Sequence, residues 1–129
     1  MTATVLLIED NVQNRYLATY LLEHHGYTVV PAMDGPEGIA LAETTPPDLV
    51  LLDIQLPGMD GYSVARALRE LPALRDTPII AVTSYAMPAD RARAMAAGCD
   101  GYIEKPIEPQ TFAAQVAAHM DAPGSGTTP

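Results

Sequence analysis

The chain predicts an α/β fold: a parallel β-sheet covered by helices, in a single domain. Three observations carry the prediction. Short β-branched or aliphatic runs alternate with longer amphipathic ones along 129 residues. Glycines and prolines fall at the changeovers where helix ends want them. A chain of this length also buries about two-thirds of the surface it exposes when unfolded, enough for a core without disulfide or metal staples.

The first strand is expected at Thr4 to Glu9 and a helix at Val12 to His25. At 100° per residue, Leu17, Ala18, Leu21 and Leu22 form that helix's core stripe, and Val12, Tyr16 and Tyr20 fall on the opposite side. Gly26 sits where the helix ends in a left-handed residue. The second strand is expected at Thr28 to Ala32 and the second helix at Pro36 to Thr44; the third pair spans Leu49 to Asp53 and Gly61 to Leu71. These first three strands read as nearly continuous apolar runs (Val5-Leu6-Leu7-Ile8, Leu49-Val50-Leu51-Leu52), as strands buried on both faces do. Pro78 to Thr83 is the fourth strand, followed by a helix over Pro88 to Ala97 that Gly98 closes. Gly101 to Glu104 is the fifth strand and Pro109 to Met120 the last helix, with Phe112, Ala113, Val116, Ala117 and Met120 as its buried stripe. Pro36, Pro88 and Pro109 each belong in a first turn, where a missing N–H costs nothing. The final Pro-Gly-Ser-Gly-Thr-Thr-Pro has nothing to bury, so an ordered domain over residues 1–122 and a disordered tail over 123–129 are expected.

Composition excludes several classes of function. Sixteen acidic against seven basic side chains give a net charge of −9, the wrong sign for a nucleic-acid binder. No apolar run approaches the ~18 residues of a bilayer span, and the start lacks the basic, then apolar, plan of a signal peptide. Cys99 is alone, which fits a reducing cytoplasm and the role of a small buried hydrophobe. His24, His25 and His119 lie on helices away from the strand ends and read as capping or surface residues.

In an open α/β sheet, ligands bind beyond the carboxyl ends of the strands. The first strand ends in Glu9-Asp10, the third in Asp53, the fourth in Thr83-Ser84 and the fifth in Glu104-Lys105-Pro106. Taken singly, Asp10 caps a helix, Asp53 opens a turn and Lys105 is a solvated charge. Taken together they are less easily set aside, because Lys105 is the chain's only lysine. Adjacent carboxylates repel unless a cation neutralises them, and an all-oxygen site with room for waters suits Mg²⁺.

Four motifs in order, Ile8-Glu9-Asp10, Leu51 to Gly61 (LLDIQLPGMDG), Val82-Thr83 and Lys105-Pro106, resemble the receiver domain of two-component response regulators. The likeness runs from about Thr4 to Met120. Within the family, the stretches Thr83 to Met87 and Gly98 to Ile107 are most similar to stand-alone regulators of the DivK type and to receivers of hybrid sensor kinases. The resemblance implies a flavodoxin-like (βα)5 three-layer sandwich with strand order 2-1-3-4-5. It implies Asp53 as phosphoacceptor and Mg²⁺ held by Asp10, Asp53 and the backbone carbonyl of Gln55, with Glu9 reached through water. Thr83 and Lys105 would stabilise the transferring phosphoryl group, and the Lys105–Pro106 peptide would be cis. Thr83 and Tyr102 would form the switch that reshapes the face of the fourth helix, fifth strand and fifth helix. Gln55 and Tyr85 would tune the phosphoryl lifetime. The outer side of the first helix, at Val12, Tyr16 and Tyr20, would dock a sensor histidine kinase or histidine phosphotransfer protein.

Glu9 where Asp is commoner and Ser84 where Ala is frequent are the departures. A haloacid-dehalogenase-like phosphatase needs a second acid two residues after its nucleophile, where this chain has Gln55. A flavodoxin-like FMN binder needs a hydroxyl-rich phosphate loop, which Glu9-Asp10-Asn11 is not. Intact Asp10, Asp53, Thr83 and Lys105 argue against a phosphorylation-dead module. With Met1 just before the first strand and no effector domain, the expectation is a stand-alone, non-enzymatic cytoplasmic regulator, a monomer or a weak phosphorylation-dependent dimer, whose output is protein contact.

Overall fold

The computed structural model describes residues 3–56, 58–84 and 87–120. The expected boundary at residue 122 and the tail beyond it lie outside the described residues, as does Tyr85. The chain alternates β1 (Thr4–Ile8), α1 (Val12–His24), β2 (Thr28–Ala32), α2 (Gly35–Thr44), β3 (Leu49–Asp53), α3 (Gly61–Glu70), β4 (Ile79–Thr83), α4 (Pro88–Ala96), β5 (Gly101–Glu104) and α5 (Phe112–Met120). The five strands form one sheet in the order β2-β1-β3-β4-β5, with every pairing parallel. This is the flavodoxin-like order.

Strand alternation divides the core in two. Leu6, Ile8, Val50, Leu52, Ile79 and Ala81 face one side, where Ala42 of α2, Val64 and Leu68 of α3 and Ala94 of α4 pack on them. Val5, Leu7, Leu49, Leu51, Ile80 and Val82 face the other, against Ala18 and Leu22 of α1 and Phe112 and Val116 of α5. Each strand residue thus meets a helix whichever way it points, which is why β1, β3 and β4 read as unbroken apolar runs.

β2 departs from that expectation. It pairs only with β1, and only its Ala32 is fully buried, while Thr28 and Pro31 are exposed. An edge strand has one open side, which also explains how Pro31 is tolerated without an N–H. The last helix begins at Phe112 rather than Pro109: residues 109–111 form a turn in which the Glu108 carbonyl accepts from the Thr111 and Phe112 N–H groups. A short 3₁₀ turn at Pro72–Leu74, not foreseen, follows α3. Other boundaries shift by a residue. Gly26 and Gly98 take the expected positive φ, 93° and 111°.

Three polar side chains start the helices that follow the carboxyl ends of β1, β2 and β3. Asn11 caps α1 by accepting from Asn14 N–H at 2.8 Å, Asp34 caps α2 through Glu37 N–H at 2.9 Å, and Asp60 caps α3 through Ser63 N–H at 3.0 Å. Because Asn11 takes the cap of α1, Asp10 is left for other work.

Candidate functional site

The central strands β1, β3 and β4 deliver Glu9, Asp10, Asp53 and Thr83 to one edge of the sheet, and the loop after β5 delivers Lys105. Carboxylate oxygens of Glu9, Asp10 and Asp53 all lie within 4.8 Å of one another. Glu9 and Asp53 are buried at 3% exposure each, whereas Asp10 is open to solvent. The Lys105 ammonium spans the two buried acids, with Nζ 3.2 Å from Glu9 Oε1 and 3.3 Å from Asp53 Oδ2. Its backbone is anchored as well, since Lys105 N–H donates to the Thr83 carbonyl at 2.9 Å. The Lys105–Pro106 peptide is cis, as the resemblance implied.

One ammonium does not compensate two buried carboxylates and a third beside them. Burial first, and repulsion from Asp53 second, push the Glu9 carboxyl from 4.5 up to about 7, against the pull of Asn11 N–H and Lys105. The site therefore has spare negative charge, all of it on oxygen, which fits a hard divalent cation of the Mg²⁺ kind.

Around this cluster the loops are tied down. Asp53 Oδ1 accepts from Gln55 N–H at 2.9 Å, so Asp53 also makes the local turn foreseen as its simpler role. Gln55 Oε1 in turn accepts from the Thr83 hydroxyl at 3.3 Å and from Ser84 through both N–H (3.0 Å) and Oγ (2.9 Å). Arg15, one turn into α1, donates from Nη1 to the carbonyls of Glu9 at 2.8 Å and Asp10 at 3.4 Å, fixing the β1–α1 loop. Sequence reasoning overlooked Arg15, whose only signal is a cation five residues after an acidic pair. Gly61 closes the loop after β3, where any Cβ would collide with the Ile54 backbone.

The remaining predicted residues lie away from the carboxylates. Tyr102 is half-buried on β5, its ring beneath the Arg91 guanidinium at 4.7 Å. Its hydroxyl is buried without a hydrogen-bond partner among the described residues, and desolvation raises its pKa. On the same face a cleft of about 470 Å³ is lined by Arg91, Tyr102, Glu104, Lys105, Thr111 and Gln115. Val12, Tyr16 and Tyr20 stand on the outer side of α1 at 67%, 74% and 57% exposure, while Ala18 and Leu22 are buried and Leu17 and Leu21 partly so. Cys99 is buried, and desolvation pushes its thiol up to about 12, consistent with an inert core residue. Among the described residues, no helix is long and apolar enough to cross a membrane.

Comparison with known proteins agrees with this geometry. The family described as the response regulator receiver domain matches residues 5–117. The polar-differentiation response regulator DivK of Brucella ovis is 39% identical over 120 residues, which cover 93% of this chain and 98% of that protein. Chemotaxis protein CheY4 of Vibrio cholerae superposes with a TM-score of 0.89 at 28% identity, covering 92% of this chain and 99% of that one. The receiver domain of a sensor histidine kinase from Pseudomonas aeruginosa, solved with a magnesium ion coordinated in its active-site cleft, gives a TM-score of 0.86 at 32% identity, with 95% and 100% of the two chains covered. With a family match over nearly all of the described chain and a relative alike from end to end, the protein belongs to the response regulator receiver domain family.

Proposed function

We propose that the chain accepts a phosphoryl group on Asp53 from a histidine kinase or histidine phosphotransfer protein, and signals by contact with a downstream protein. The observation that carries this reading is the buried Asp53 carboxylate, 3.3 Å from the chain's only lysine and beside two further acids. An Asp53 oxygen attacks phosphorus, the P–N bond to the donor imidazole breaks, and the imidazole leaves with the bonding pair. In a loose transition state the charge lies on the equatorial oxygens, where the Lys105 ammonium and Thr83 hydroxyl donate to it. Asp10, Asp53 and the Gln55 backbone carbonyl, with Glu9 through water, are the groups that would hold Mg²⁺. When bound, that ion neutralises the carboxylates and the incoming phosphoryl oxygens. The Mg²⁺ in the Pseudomonas receiver supports this part of the reading.

Thr83 and Tyr102 form the switch in this reading, and the surface of α4, β5 and α5 is the output. The exposed Val12, Tyr16 and Tyr20 of α1 dock the phosphodonor. The domain turns over no free substrate; it assists only its own phosphorylation and dephosphorylation, in the cytoplasm, as a monomer or a weak dimer.

Labelling with acetyl phosphate, or with purified kinases and labelled ATP, tests the assignment. Label should enter the wild type only with Mg²⁺ present and should be absent from Asp53→Asn. Undiminished label in that variant overturns it.

A further inference from the structure

Gln55 is exposed, yet its side chain is one of the most engaged near the site. Its Oε1 accepts from Thr83 Oγ1 at 3.3 Å, Ser84 N–H at 3.0 Å and Ser84 Oγ at 2.9 Å, while the Gln55 backbone N–H donates to Asp53 Oδ1 at 2.9 Å. The residue thus joins the phosphoacceptor carboxylate to the end of β4. An amide oxygen has two lone pairs, so three donors crowd it and leave it no room for another. A hydroxyl has one proton to give, and a backbone amide likewise. Whatever Thr83 and Ser84 donate to Gln55 is withheld from a group on Asp53.

We propose that Gln55 is a positioning residue whose side-chain carbonyl competes with the phosphoryl group for the Thr83 hydroxyl and the Ser84 N–H, holding these two donors away from Asp53. The inference rests on Asp53 being the phosphoacceptor and adds, to the tuning of phosphoryl lifetime expected at this position, a direct competition through the side-chain carbonyl. Ser84 takes part through its hydroxyl: Oγ is the nearest of the three donors and fastens the carboxamide that holds the other two. An alanine there would leave the carboxamide with two donors and a looser grip. The competition has a definite sign, because removing the acceptor breaks these three hydrogen bonds and takes away the competitor of the phosphoryl group.

Beryllofluoride with Mg²⁺, a tetrahedral mimic of the aspartyl phosphate, measures this on the intact chain by titration calorimetry. Gln55→Met keeps the length of the side chain and removes its acceptor, at an exposed position where thermal melting will verify the fold. The Met variant should bind beryllofluoride about two- to tenfold more tightly than wild type, the range set by one neutral hydrogen bond. Ser84→Ala should tighten binding about twofold in wild type and leave it unchanged in the Gln55→Met background, since the two residues act through one contact. Equal or weaker binding by Gln55→Met, or the same Ser84→Ala effect in both backgrounds, overturns the proposal. A wild type that fails to bind beryllofluoride strikes instead at Asp53 as phosphoacceptor, and the proposal falls with it.

Discussion

At the end of β1, Glu9 has a carboxyl pushed from 4.5 to about 7 by burial and by the Asp53 charge. The sign of its effect on stability follows from the folded value lying above the unfolded one. Folding is favoured by the protonated form, so this contribution is complete below about pH 4.5 and lost as pH rises through about 7. Glu9→Gln resembles the protonated acid at every pH. In metal-free buffer the two proteins should melt alike near pH 4.5, and the variant should become the more stable by pH 8. Melting curves across that range check the expectation, and parallel curves contradict it. The comparison removes groups such as Asp60, whose pKa is lowered chiefly by Ser63 N–H and whose stabilisation fades instead as pH falls. At this scale the candidate site was legible because its carboxylates, its hydroxyl and the chain's only ammonium fall at the carboxyl ends of strands. Gln55 was singled out, but the bonds of its carboxamide to Thr83 and Ser84 were not legible, and neither was Arg15, because an amide oxygen and a guanidinium aimed at carbonyls have no sequence pattern of their own.

Between elements, Arg69 holds what apolar packing does not. From α3 its guanidinium reaches the carbonyls of Leu74 (2.8 Å), Thr77 (2.9 Å) and Gly98 (2.7 Å) and the Asp100 carboxylate (2.7 Å), and Asp100 Oδ2 also accepts from Ile79 N–H at 3.0 Å. One side chain therefore joins α3, the segment leading into β4, and the α4–β5 turn. Arg69→Met preserves much of the packing and strands these acceptors, so it should lower unfolding free energy by about 2–3 kcal/mol in urea titration. A loss below about 0.5 kcal/mol would place the clamp among ordinary surface contacts. The strands and most helices were readable from apolar period, caps, Gly and Pro. That β2 lies at the edge followed from the strand order the resemblance implied and not from its own residues, since Val29-Val30 looks like any other core run until its neighbours are known. Arg69 was not readable, since its acceptors lie between 5 and 31 residues away.

For the molecule as a whole, the sheet order puts the carboxylate site at the centre of one edge and leaves α1 with an aromatic outer face beside it. Tyr20 stacks on His24 at 6.1 Å between ring centroids, so the face that starts at Val12 carries rings to the helix end. Aromatic residues of this kind dominate binding where a partner covers them. Tyr16→Ser with Tyr20→Ser should slow phosphoryl transfer from a kinase about tenfold or more and leave acetyl phosphate labelling nearly intact. If both routes fall together the tyrosines serve the fold; if neither does, docking lies elsewhere. Parallel order and two-sided burial were both readable from alternating runs, whereas which helix shares which layer depends on crossovers that only the fold displays. A different consequence follows from Lys105 being the sole lysine and sitting between Glu9 and Asp53. The chain has a single ε-amino group, and it belongs to the site. An amine-selective acylating reagent therefore meets one side-chain amine in this domain, so a mass increment on the peptide that holds Lys105 reports on the site alone. The extent of acylation at one residue becomes a chemical footprint of whether the carboxylates are engaged with their own ammonium or with something else.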